Sequence, residues 1–444
     1  MITRLSWLLL LSSTLTVDAA DWLRFRGPNG SGIAPDEKPV PVTWSAAQNL
    51  KWRTALPGLG SSSPIVVGDR IFVTCWSGYA TDGPQSTGDI TALMRHLVCV
   101  DRTSGKILWD RSVPAKQPEE RYGGMFSQNG YASHTPVSDG KSVFAFFGKS
   151  GVHAFDLEGK PLWQADVGDW DDRRGWGSAS SPILHGDVLI VPALVESQTL
   201  FGFDKNTGKQ LWKAPSEGFA STWGTPIVVQ VDGRADLAIA VPGEIWAFNP
   251  DTGKLRWYAQ GLQSDSVCNS VVTDGSAIFA MSERGGGSVA IKAGGKGDVS
   301  ATNTLWTGPN GSRISTPVLW EGRLYWISGS IATCRDAKTG TEIYTERIES
   351  SSGASASQDS GGGGGGRRGG GMSGGDYASP VAANGHLYHV SRRGEVLVIK
   401  LGPKFELVSR NRIDGDTSDH SSTPAISNGQ LFLRSAKTLY CIGE

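Results

Sequence analysis

Residues 96–109 read HLVCVDRTSGKILW: an apolar run, an aspartate, a tight connection ending in Gly105, and a second apolar run that stops on Trp109. This is the grammar of a β-hairpin. The aspartate side chain accepts from nearby backbone amides to start the turn, and glycine supplies the positive φ that such loops require. The same hairpin recurs as VHAFDLEGKPLW (152–163), LFGFDKNTGKQLW (200–212), IWAFNPDTGKLRW (245–257) and ATCRDAKTGTEIY (332–344). A second hairpin precedes it in each unit; in SSPIVVGDRIFVTC (62–75) two apolar strands meet at Gly68-Asp69.

The Ser/Thr-Pro start of that first hairpin marks the period. It falls at Pro64, Pro136, Pro182, Pro226, Pro317, Pro380 and Pro424, with Val271 holding the place in a degenerate copy, so successive spacings are 72, 46, 44, 45, 46, 63 and 44. A basic unit of about 45 residues holding two hairpins is the length of a four-stranded propeller blade. Eight units supply eight first strands, but the last copy ends at Glu444 before its fourth strand. The segment NLKWRTA (49–55) carries the missing tryptophan, Trp52, and pairing it with the strand around Tyr440 closes the ring and removes the exposed edges. The expected fold is an all-β, eight-bladed propeller of four-stranded antiparallel blades over residues 49–444, preceded by an extension over 21–48.

The composition agrees with short strands and turns: 59 glycines and 16 tryptophans in 444 residues. Lys plus Arg (42) nearly balances Asp plus Glu (43), so no net field draws in nucleic acid or an anionic membrane. Residues 1–20, with Arg4, an apolar stretch and a small-residue end, have the layout of a secretory signal cleaved after Ala19 or Ala20. That stretch is short for a membrane span and no later one is long enough, so the expectation is an exported, monomeric protein, periplasmic or secreted. Five cysteines, an odd number with no close pair, do not make a disulfide scaffold.

The Asp-x-x-Thr-Gly-Lys-x-x-Trp hairpins resemble the repeats of the pyrroloquinoline quinone (PQQ) propellers, a superfamily of eight-bladed quinoprotein dehydrogenases and non-catalytic relatives that include an outer-membrane assembly lipoprotein. DWLRFRGPNGSG (21–32) resembles the opening of an exported bacterial branch. The resemblance implies fold more than function, since propellers host many activities.

The repeated Trp52, Trp109, Trp163, Trp212, Trp257 and Trp306, with Tyr344 and Val408 at the same place in divergent units, read as rings packed between blades. Two residues before the turn aspartate stand Cys99, Ala154, Gly202, Ala247 and Cys334, with Ala290, Val398 and Cys441 as equivalents. These are small buried strand positions with inert thiols.

Long connections at 77–96, 114–133, 167–179 and 349–376 all fall on the face that carries second-to-third strand loops and blade-to-blade links, which marks it as the binding face. The last, glycine- and serine-rich, is expected to be disordered. Residues just before each Ser/Thr-Pro start are expected to rim the channel there: Tyr131, His134, Trp176, Trp223, Asp265, Asn269, Arg313, Asp376, Tyr377, Asp419 and His420. Aromatics with mixed charges suit a protein, peptide or cell-envelope polysaccharide.

The resemblance also implies an alternative, a PQQ-dependent dehydrogenase of alcohols or sugars. By position type Trp223 would be the stacking floor, Asn269 a Ca²⁺ ligand and Asp265 a ligand or base, and these would have to converge in one pocket. Against it stand the absence of adjacent cysteines, of glutamate among the rim residues, and of a C-x-x-C-H haem segment. The histidines lack zincin spacing, and the acidic run DVGDWDD (166–172) reads as solvated turn. The expected function is therefore a non-catalytic binding scaffold. An assembly role at the outer membrane, as in the lipoprotein relative, lacks the anchoring cysteine.

Overall fold

Eight antiparallel sheets form, one for each repeat. The computed structural model describes residues 21–35, 38–81, 88–282, 287–309, 311–349 and 376–444; the expected secretory signal and the glycine-rich stretch at 350–375 lie outside the described residues. The innermost strands Ile65–Val67, Val137–Ser138, Ile183–His185, Ile227–Val231, Val272–Thr273, Val318–Trp320, Val381–Ala383 and Ala425–Ser427 open blades 1 to 8 in order. Blade 8 is completed by Leu50–Ala55, which pairs antiparallel with Thr438–Ile442 and sets Arg53 opposite Tyr440, so the ring closes as the truncated last repeat requires.

The repeat signature holds the seams between blades. The indole N–H of Trp52 donates to the Arg102 carbonyl of the next blade (2.9 Å), Trp109 to Leu157 (3.0 Å), Trp163 to Lys205 (2.8 Å), Trp212 to Pro250 (3.1 Å) and Trp306 to Ala337 (2.8 Å). Each accepting carbonyl belongs to the residue just after the Asp or Asn that opens the turn to a glycine. At Gly208 the reason for glycine is double: φ is +72°, and a Cβ would sit 2.6 Å from the Trp163 ring. Within a blade each tryptophan faces a small residue across the ladder, as in Cys99 with Trp109 and Gly202 with Trp212. In blade 7 the residue facing Val398 is Ser409, with a register shift beside it; Val408, expected at the aromatic position, is exposed.

Blade 4 departs from the pattern. Because blade 5 lacks the turn motif, Trp257 donates instead to the buried carboxylate of Asp236 (2.8 Å), and Gly297–Asp298 adds a parallel fifth strand beside Trp257. The cysteines are thiols, none in a disulfide; burial pushes those of Cys75, Cys99 and Cys441 up to about 12, and that of Cys334 up to about 11.

The extension crosses the face of first-to-second strand turns. Asp21 accepts from Gly68 N, Trp22 pairs with Val66, and Val40 N donates to Asn384 Oδ1. Between these anchors Arg26 is fully buried and donates to the carbonyls of Gly30, Ser31, Thr316, Pro317 and Pro380, tying blades 6 and 7 to the segment. Arg24 reaches the Pro226 carbonyl of blade 4 at 3.0 Å.

Candidate functional site

The Ser or Thr before each proline builds the wall of a central channel. The backbone N–H of Ser63 donates to Thr135 Oγ1, that of Thr135 to Ser181 Oγ, and the relay continues through Thr225, Ser270, Thr316 and Ser379 to Thr423, at 2.9–3.0 Å throughout. Each hydroxyl thus satisfies an amide of the preceding blade. The seam from blade 8 back to blade 1 is held by Ser422 Oγ and Arg434, both donating to the Ser62 carbonyl.

Backbone alternation then dictates the layer above this belt, because residues two apart point the same way. Ser61, Ser133, Ala179, Trp223, Cys268, Ile314, Tyr377 and Ser421, each two residues before a belt residue, form a second ring around the same cavity of about 100 Å³. Phe25 of the extension lines it from below. The second ring is two-sided: serine hydroxyls on blades 8, 1 and 2 face a wall of indole, thiol, isoleucine and phenol on blades 4 to 7. A further cavity of about 80 Å³ continues along that wall towards the mouth, where Met125, Asn129, Trp176 and Arg313 join Trp223 and Tyr377.

Of the residues expected at the rim, four meet here. Trp176 stacks on Trp223 with centroids 4.8 Å apart and an interplanar angle of 28°, and Arg174 lies 5.5 Å over Trp176. Tyr377 carries Arg392 over its ring at 4.9 Å, and Arg313 lines the outer cavity. Asp376 and Asp419 serve as braces: Asp376 accepts from Arg392 N (2.9 Å) and pairs with His389 (3.1 Å), and Asp419 pairs with the Arg392 guanidinium. Asp265 is largely exposed and paired with Arg174 at 3.1 Å.

Others are not on the rim. Tyr131, 2% exposed, sits in an aromatic cluster with Trp76, Tyr79, Tyr122 and Phe126. His134 (3% exposed) and Asn269 (2%) directly precede belt residues, so alternation turns them away from the channel into the blade seams. His134 Nε2 meets Ser178 Oγ at 2.9 Å, and burial, aided by Arg95, drives its imidazole down to about 3. Asn269 Nδ2 donates to the Ser315 carbonyl (2.7 Å). His420 is buried, its Nδ1 donating to the Ser418 carbonyl at 2.8 Å. Sequence reasoning missed Cys268 and Ile314, which counting back two residues from each Ser/Thr-Pro pair would have found.

Trp223, Asn269 and Asp265 therefore do not converge in one pocket. No carboxylate lines either cavity, and among the described residues no cluster of three His, Cys, Asp or Glu side chains could hold a metal. Asn269 Oδ1 is buried without a hydrogen-bond donor, yet its side chain is fixed in a seam. Calcium needs several oxygens, carboxylates among them, to offset its dehydration, and this lining of hydroxyls, one amide and one guanidinium does not fit it.

Residues 148–404 match a family model described as outer membrane protein assembly factor BamB. A polyvinylalcohol dehydrogenase of Sphingopyxis sp. (strain 113P3) is 24% identical over 259 residues, 49% of this chain and 36% of the relative, so the chain spans about a third of that protein's length. Among solved structures, BamB from Moraxella catarrhalis superposes with a TM-score of 0.58 at 13% identity, covering 89% of this chain and 99% of that one. A europium-containing methanol dehydrogenase does so with 0.66 at 11% identity, covering 96% and 98%. At such identities the superpositions establish the propeller fold.

Proposed function

The chain belongs to the propeller family described as outer membrane protein assembly factor BamB, and from that premise we propose that it is an exported binding scaffold that receives a segment of a protein partner at the channel mouth. One observation carries this reading: the channel is closed below by Phe25 and the buried Arg26 network, and opens above into a mouth of Trp176, Trp223, Arg313 and Tyr377 with no acidic group in its lining. Aromatic and arginine side chains at a rigid, desolvated concavity are what a protein segment anchors on. The closed ring costs little ordering entropy on association. Its expected location is the periplasm or the exterior, and no helix among the described residues is long and apolar enough to cross a membrane.

The test is to place a photo-crosslinking side chain at Arg313 or Tyr377 and, in parallel, at Asp69 or Asn428 on the opposite face, in the cell of origin. Adducts from the mouth positions alone support the reading; adducts from the opposite face alone defeat it.

A second reading, a quinoprotein dehydrogenase, is favoured by the polyvinylalcohol dehydrogenase relative and by the Trp176–Trp223 stack, a platform for a flat ring. It would need a base other than Asp265 and a metal ligand other than Asn269.

A further inference from the structure

The acidic run at 166–172 that reads as solvated turn in the sequence has a use in the fold. Asp166 and Asp169 hold Lys116, Asp171 pairs with the buried Lys149, and Asp172 accepts from Arg174 N (3.2 Å) and Trp176 N (2.7 Å). Trp170 N donates to the Glu196 carbonyl at 3.0 Å. So braced, the segment projects the Trp170 indole into solvent: it is 54% exposed, the most exposed of the large apolar side chains among the described residues. The indole forms one side of a cleft of about 250 Å³, whose other sides are Leu194, Val195, Gln198, Ala220 and Ser221, with Asp171, Asp172 and Arg173 along its edge. This cleft lies at the links around blade 3, outside the cavities of the channel.

We propose that the cleft beside Trp170 is a binding site for a neutral glycan. The charges at its edge set the class. Asp171 is neutralised by Lys149, while Asp172 and Arg173 oppose each other, so neither an anionic nor a cationic ligand is favoured as a whole. A neutral, polyhydroxylated ring fits what remains. Its C–H face lies on the exposed indole, and its hydroxyls meet the Gln198 amide and the Arg173 guanidinium, neither of which has a side-chain partner among the described residues. Few polar groups around an apolar wall is the usual composition of such a site, and this volume suits one sugar ring or two rather than a long segment. Because the loop is held by Lys116, Lys149 and Asp172, the platform is formed before the ligand arrives.

The proposal does not rest on the function assigned to the mouth. Cellotetraose, maltotetraose and triacetylchitotriose are to be titrated into the full mature chain by calorimetry, with oligoglutamate and oligolysine as charged controls. Saturable binding of at least one sugar is expected, with affinity roughly millimolar or tighter, weakened about tenfold in Trp170→Ala and less in Trp170→Phe and Gln198→Ala. An unchanged melting temperature of Trp170→Ala certifies the fold, and Arg313→Ala should bind the sugar as the parent does. No saturable binding of any of the three sugars, undiminished binding by Trp170→Ala, or preference for either charged oligomer would overturn the assignment.

Discussion

At the floor of the channel a single guanidinium takes up five backbone carbonyls, two from its own segment and three from blades 6 and 7, and is fully buried in doing so. At the mouth, Arg174, Arg313 and Arg392 remain partly exposed, two of them lying over aromatic rings and pairing with carboxylates that also see solvent. The same residue type is used as mortar at one end and as accessible surface at the other. A buried hydrogen bond is costly to leave unmade, whereas an exposed ion pair contributes little to stability. The floor is thus built for permanence, while the charges of the mouth stay accessible to solvent.

That contrast fails first, if it fails, at Arg26. Arg26→Ala leaves five carbonyls without their donor, and at about 1 kcal/mol each the loss should be roughly 3 to 5 kcal/mol in urea unfolding. Arg26→Lys should not restore it, lacking the planar fork. A loss within about 0.5 kcal/mol would mean that the extension is an ornament. Next comes the seam: Gly208→Ala must adopt φ +72° against the Trp163 ring, and a loss of roughly 2 to 4 kcal/mol is expected from strain plus overpacking.

A buried acid on the mouth side sharpens the comparison. Burial raises the Glu196 carboxyl from 4.5 to about 7, and its Oε2 has no hydrogen-bond partner. The native state keeps that proton up to near pH 7, while the unfolded chain loses it above about pH 4.5. The stability that this protonated carboxyl contributes is therefore complete below pH 4.5 and is lost as pH rises to 7, by at most about 3 kcal/mol. Glu196→Gln should match the parent near pH 4.5 and exceed it increasingly towards pH 8; a gap that does not widen with pH would contradict the assignment. The smallest expected effect on stability is Arg313→Ala, within about 0.5 kcal/mol, although crosslinking from Tyr377 should fall sharply.

The propeller is legible in the sequence because its signature is local chemistry. An aspartate, a glycine and a tryptophan within a dozen residues determine a turn and a seam, and the repetition of that triplet determines the ring. Even the closing strand at 49–55 follows from a missing tryptophan. The floor is not legible, because the blade carbonyls that Arg26 ties together lie 290 to 354 residues away in the chain. The channel lining was half-legible. Proximity to each Ser/Thr-Pro pair finds Trp223 and Tyr377, but it also gathers His134 and Asn269, whose side chains alternation sends into the seams. In blade 7 a register shift that the sequence does not announce moves the aromatic place from Val408 to Ser409.

The most direct test of a channel built for binding rather than for calcium-assisted quinone chemistry is calorimetric titration of the mature protein with PQQ and Ca²⁺, followed by the cofactor's absorbance and by dye reduction with simple alcohols and sugars. A lining of hydroxyls, indoles and one guanidinium, with no carboxylate, predicts neither saturable Ca²⁺-dependent binding nor turnover. One-to-one binding that requires Ca²⁺ and supports dye reduction would contradict the account.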